Sequence, residues 1–167
     1  MSRPASVSPV PQAPGLRVAL VVSTYHDDIT ERLATGALEA LAAAGVSSSD
    51  IERLDVPGAY EIPFGARTAA TSGRIDAVVC LGCLIKGETP HFDYIASAVS
   101  HGIMQASLSQ GTPMAFGVLT VNSLEEAEAR VPAGPGNKGH EAAVAVVTMA
   151  KLAREWQPRG PGQGSEG

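Results

Sequence analysis

Two short runs in the chain are apolar at nearly every position: Arg17 to Ser23 (RVALVVS) and Ile75 to Leu81 (IDAVVCL). A strand with one wet face alternates apolar and polar residues, whereas an unbroken β-branched run fits a strand covered on both faces. Such strands need helices on either side, and the rest of the chain supplies them. Ile29, Leu33, Gly36/Ala37, Ala40/Leu41 and Ala44 recur at helix spacing, and Gly45 terminates the pattern. Strands are expected at Ile51 to Val56 and Met114 to Leu119, and helices at Ile62 to Thr71, Asp93 to Gln110, Ser123 to Arg130 and Gly139 to Trp156. Ser123-Leu-Glu-Glu126 reads as a capping box. Strands alternating with helices imply right-handed crossovers and a parallel sheet between two helical layers.

The loops after the strands of such a sheet gather on one edge, where open α/β sheets place ligands. The polar residues fall there. Tyr25 and His26 follow the first strand, Ala59, Tyr60 and Glu61 the second, and Val121 and Asn122 the fourth, with Arg130 one helix away. The densest segment, Gly82 to Tyr94 (GCLIKGETPHFDY), follows the third strand and reads as a loop up to a helix beginning at Asp93. Its plain reading is a surface connector capped at Thr89 or Asp93. Its functional reading is a loop whose free N–H groups and Thr89 hydroxyl hold an anion. His91 is then placed for acid/base work.

Composition narrows the partners. Apolar residues make up 44% of the 167 positions and aromatics only 4%, so the core is built of small side chains. A single domain is expected over residues 16–157, with a flexible Pro-rich tail at 1–15 and a disordered tail at 158–167. The net charge of −5 and the lack of a basic run argue against nucleic acid or an anionic membrane as partner. No window reaches the ~18 apolar residues of a membrane span, and Met1 to Pro14, with four prolines, does not resemble a secretory signal. A cytoplasmic location is expected. Cys80 and Cys83 read as reduced, buried thiols.

Several familiar chemistries are missing. There is no G-x-G-x-x-G after the first strand, no P-loop and no nucleophile elbow. His91 and Asp93 alone do not make a metal site. Asp27 and Asp28 mimic the acidic pair of a receiver module, but Cys83 and Leu84 stand where its phosphorylated Asp belongs. What remains is an anion-binding and acid/base set: Thr89 and Arg130 for an anion, His91 for protons, Glu61 for ligand hydroxyls, and Tyr25 for a flat ring. Glu61 also reads as a helix N-terminal charge, Lys138 as a solvated helix start, and Phe116 as core.

Four segments, in order and spacing, resemble the lumazine synthase family: V-P-G-A-Y-E-I-P (Val56 to Pro63), L-G-C-L-I-K-G-E-T-P-H-F-D-Y (Leu81 to Tyr94), F-G-V-L-T (Phe116 to Thr120), and Arg130 followed by G-N-K-G-H-E-A-A (Gly136 to Ala143). The resemblance spans about Leu16 to Ala153. It implies a flavodoxin-like three-layer α/β/α sandwich with a four-stranded parallel sheet and, in some members, an N-terminal segment added to a neighbour's sheet edge. It further implies condensation of 5-amino-6-(D-ribitylamino)uracil with 3,4-dihydroxy-2-butanone 4-phosphate, with no metal or organic cofactor, at sites shared by neighbours in a pentamer. By motif, Tyr25 stacks on the pyrimidine, Ala59, Tyr60 and Glu61 hold the ribityl chain, and Cys83, Leu84 and Ile85 line the ring through backbone groups. Glu88 and Thr89 bind phosphate, joined by Arg130 of the adjacent subunit; His91 moves protons with Glu141 near it; Phe116 covers the ring and Lys138 contacts the uracil carbonyl.

The chain departs from the family at three places. Ser23-Thr-Tyr-His26 puts His26 where the family usually has Asn, Lys86 stands where Arg is common, and the N-terminal segment is Pro-rich, so it lacks the donors of a ladder strand. The short Val131 to Gly136 loop lacks an insertion common in members that stop at pentamers, which favours a shell of about 60 subunits in an icosahedral assembly. Riboflavin synthase is the protein partner such a shell suggests.

Overall fold

The computed structural model describes residues 9–158. Four parallel strands, β1 (Val18–Ser23), β2 (Ile51–Val56), β3 (Ala77–Ile85) and β4 (Met114–Val121), stand in the order β2-β1-β3-β4. Five α-helices connect and cover them: α1 (Asp27–Ala43), α2 (Ile62–Thr71), α3 (His91–Gln110), α4 (Leu124–Ala129) and α5 (Lys138–Glu155). The order 2-1-3-4 is that of a flavodoxin-like α/β/α sandwich.

The unbroken apolar run of β1 is explained by its place. All six of its residues are buried, and they alternate between two cores. Val18, Leu20 and Val22 join Leu33 and Leu41 of α1 and Val146 and Val147 of α5. Ala19 and Val21 join Ile62 and Ala66 of α2 and Val99 and Ile103 of α3. Removing a Leu-sized side chain from water contributes roughly 1.5–3 kcal/mol, so these faces account for much of the folding drive.

The two boundaries that flank the Gly82 to Tyr94 segment differ from the sequence reading. The third strand was expected to end at Leu81, but it runs to Ile85. The expected break, Gly82, is a ladder residue opposite Val118. It is glycine because a Cβ there would come 2.9 Å from Ile62 Cδ1, so it answers a packing need and not a turn. α3 begins at His91 and not Asp93; its N-cap is Pro90, with no side-chain cap from either Thr89 or Asp93.

Of the segment expected as a flexible tail, Gln12 and Ala13 are held to the end of α1. Gln12 Nε2 donates to Ala43 O at 2.7 Å and the Ala13 N–H to Ala44 O at 2.8 Å, with Ala13 buried. Residues 1–8 and 159–167, which carry the rest of both expected tails, lie outside the described residues. Among the described residues the sheet has no fifth, N-terminal strand, and no helix is long and apolar enough to cross a membrane.

Candidate active site

A cavity of about 640 Å³ opens at the carboxyl ends of β1, β2 and β3. Its wall takes Tyr25 and His26 from the loop after β1, Gly58 to Glu61 from the turn after β2, and Cys83, Leu84 and Ile85 from β3 itself. Gly87, Thr89 and His91 close it, backed by Phe92 and, one turn along α3, by Ile95.

Local geometry explains how each group gets there. The β1 ladder stops at Val22↔Leu81, whereas the β4 ladder continues to Ile85↔Val121. Residues 82–85 therefore present one backbone edge to β4 and the other to the cavity. A planar heterocycle with edge donors and acceptors is matched by such a bare strand edge. Cys83 is buried in this wall; burial first, and the Asp28 carboxylate second, push its thiol up to about 11. It is a neutral thiol near pH 7 and not a nucleophile. Both cysteines are free.

Tyr25 and Tyr60 stand at the mouth with their rings about two-thirds exposed, at 65% and 64%. Tyr25 meets the His26 ring edge to face, with centroids 4.6 Å apart. His26 has φ 59° and ψ 50°, the left-handed region that a non-glycine residue occupies at a cost. It sits at the N-cap of α1 without using its side chain as a cap, so the ring is left to the cavity. Glu61 occupies the N-cap of α2, again with no side-chain cap bond. Its two readings, helix charge and ligand acceptor, are thus compatible: the carboxylate complements the helix dipole and stays free. His91, exposed in the first turn of α3, reaches the same space.

The remaining expected residues lie elsewhere. Phe116, Arg130, Lys138 and Glu141 line a separate cleft of about 370 Å³ between β4 and α5. Phe116 is not core: it is 46% exposed on the outer edge strand. Arg130 is the C-cap residue of α4, and its Nη1 donates to Glu126 O at 2.8 Å. α4 forms half of the expected capping box: Ser123 Oγ accepts from the Glu126 N–H at 3.2 Å, but Glu126 Oε2 reaches one residue before the cap, accepting from the Asn122 N–H at 2.8 Å. The backbone bond to Asn122 draws the Glu126 carboxyl below its usual range. Lys138 Nζ pairs with Glu141 Oε2 at 2.9 Å. Glu141 therefore sits with Lys138 in the second cleft and not in the cavity that His91 lines. Glu88 is exposed on the loop between β3 and α3, outside both walls.

Within one chain the expected residues fall in two places. Tyr25, Glu61, Thr89 and His91 share one cavity, while Arg130 and Phe116 share another. The sequence reading put His26 on the ligand edge without a role, and missed Gly58, Phe92 and Ile95 as wall residues. Gly58 was legible in the Pro-Gly turn after β2, and Ile95 in its one-turn spacing from His91. Among the described residues, no cluster of three or more His, Cys, Asp or Glu side chains comes together.

A protein of Syntrophus aciditrophicus (strain SB) named 6,7-dimethyl-8-ribityllumazine synthase is 46% identical over 143 residues, covering 86% of this chain and 93% of its own. A family model described as 6,7-dimethyl-8-ribityllumazine synthase matches residues 15–154, nearly the whole folded unit. The chain belongs to the 6,7-dimethyl-8-ribityllumazine synthase family.

Proposed function

We propose that the protein condenses 5-amino-6-(D-ribitylamino)uracil with 3,4-dihydroxy-2-butanone 4-phosphate to 6,7-dimethyl-8-ribityllumazine, in riboflavin biosynthesis. The observation that carries this reading is the cavity ringed by Tyr25, Glu61, Thr89 and His91 in a chain matched by the family over residues 15–154. The 5-amino group attacks the ketone and water leaves as the imine forms. Phosphate is then eliminated, and the ribityl-bearing nitrogen closes the ring on the remaining carbonyl with loss of water. An amine and a ketone do much of this unaided, so the protein's share is orientation, anion binding and proton movement.

The roles follow from chemistry and position. The bare backbone edge at Cys83, Leu84 and Ile85 takes the pyrimidine edge, Tyr25 takes its face, and Ala59, Tyr60 and Glu61 take the ribityl hydroxyls. His91 carries protons between the amine, the carbinol oxygen and the leaving phosphate. Glu88 and Thr89 with Arg130 bind the phosphate, Arg130 through its planar fork.

Arg130, Phe116, Lys138 and Glu141 act on the cavity of a neighbouring subunit. Two observations support this: these residues line a cleft of their own in the single chain, and a large apolar face lies open nearby. That face is a groove of about 810 Å³ between α3, β4 and α5, with Met104, Leu108, Met149, Leu152 and Trp156 all exposed. Exposure on this scale fits subunit contact. Pentamers carry the sites, and the short 131–136 loop favours their closure into an icosahedral shell that could hold riboflavin synthase. The location is cytoplasmic.

The test is to mix purified protein with both substrates and follow the lumazine absorbance, with light scattering on the same sample. Lumazine formed well above the uncatalysed rate is expected. Formation no faster than in buffer would overturn the reading.

A further inference from the structure

Of the three buried polar side chains among the described residues, Ser23, Thr30 and Asn137, Asn137 is the most fully hydrogen-bonded. It is 3% exposed and caps α5. Its Oδ1 accepts from the N–H groups of Gly139 at 2.8 Å and His140 at 3.3 Å. Its Nδ2 donates to Arg32 O at 3.0 Å and to Pro132 O at 3.1 Å. All the hydrogen-bonding capacity of one carboxamide is used, and the two N–H groups on one side and two carbonyls on the other fix which end is oxygen. Ser or Asp would cap the helix as well, but neither carries the two donors. The donors are thus the reason for Asn, and they tie the loop at 131–136 to α1.

That loop joins the two cations of the second cleft. The Lys138 N–H donates to Arg130 O at 2.9 Å, and the Asn137 N–H to Gly134 O at 3.1 Å, so the loop closes on itself at Arg130. α1 leaves room for the carboxamide only because Gly36 faces it: a Cβ there would come 2.2 Å from Asn137 Oδ1.

We propose that Asn137 is a positioning residue that holds the 130–138 loop, and with it Arg130, in place for the substrate phosphate, with Gly36 on α1 as the space it requires. This rests on the proposed phosphate role of Arg130. Two perturbations reach the carboxamide from opposite sides. Asn137→Ser keeps a cap and loses both donors; Gly36→Ala wedges the carboxamide without altering a loop residue. Each is expected to raise the KM for the butanone phosphate about tenfold, the loss of one well-aimed charge-assisted bond, while kcat at saturation changes little. Because Ser is shorter, the double variant is expected to show no more than the effect of Asn137→Ser alone, since both act through one contact.

The variants are measured as assembled protein, with melting and particle mass recorded. A folded Asn137→Ser whose KM stays within about twofold of the parent would reduce Asn137 to a structural cap and overturn the proposal. If Asn137→Ser does not assemble, Gly36→Ala alone is read by the same criterion. Arg130→Ala in the same assay separates the two claims. An unchanged KM there overturns the phosphate assignment itself, whereas a raised KM there with an unchanged one in Asn137→Ser overturns only the positioning role.

Discussion

His91 and Arg130 differ in what their loss should remove. His91 lines the cavity in the first turn of α3 and moves protons; its truncation to Ala should lower kcat by on the order of 10² while the ribitylaminouracil still binds. Unchanged turnover in steady-state assays would remove it from the mechanism. Arg130→Ala should instead raise the KM for the butanone phosphate by ten- to a hundredfold, roughly the 1.5–3 kcal/mol of a charge-assisted bond. The side-chain chemistry of this site was legible in the sequence, because residue type and loop position already limit what Thr89, His91 and Arg130 can do. Backbone state was not. His26 holds a left-handed conformation, a state that His adopts more often than most residues but still in a minority of cases, so its type alone does not announce it. The buried thiols are a third case. Burial pushes Cys80 up to about 12, and burial with Asp28 pushes Cys83 up to about 11. The folded state therefore binds protons that the unfolded thiols release near their ordinary value of about 8.5. This stabilisation is complete below that value and is lost as the pH rises through the folded ones. The urea midpoint should fall between pH 8 and pH 10.5, less steeply in Cys83→Ala; parallel slopes for the two proteins would contradict this.

At the scale of elements, apolar patterning with a capping signal for α4 placed the four strands and five α-helices of the described residues, since runs buried on both faces have few other uses. It failed at Gly82, which was placed in the loop after the third strand. The residue is small because α2 presses Ile62 onto the strand there, a tertiary fact outside the local window. Gly139 shows the same logic between helices. A Cβ on it would lie 2.0 Å from the Leu33 carbonyl oxygen, so α5 could no longer start against α1. Gly139→Ala should destabilise by roughly 1–3 kcal/mol or more, read as a lower urea midpoint. A midpoint equal to the parent's would mean that the two helices separate at no cost.

At the scale of the whole molecule, the single chain explains neither its two half-sites nor its bare apolar groove between α3 and α5. Both features become consistent once neighbours supply what each chain lacks. The sequence pointed to Arg130 by type and loop position and to a ligand role for Phe116 and Glu141 only through motif order; it carries no signal of which side of β4 each one faces until the strands are laid side by side. The most direct test uses two crippled proteins. His91→Ala and Arg130→Ala are each purified, unfolded, mixed in equal amounts and reassembled together. If sites are shared between subunits, random assortment pairs an intact His91 with an intact Arg130 in about a quarter of the sites. With butanone phosphate held well below the parent's KM, lumazine synthesis should then return to about a quarter of the refolded parent's rate, while each variant reassembled alone gives about a tenth of it or less. Mixed assemblies no more active than the separate variants would place the whole site within one chain and contradict the account.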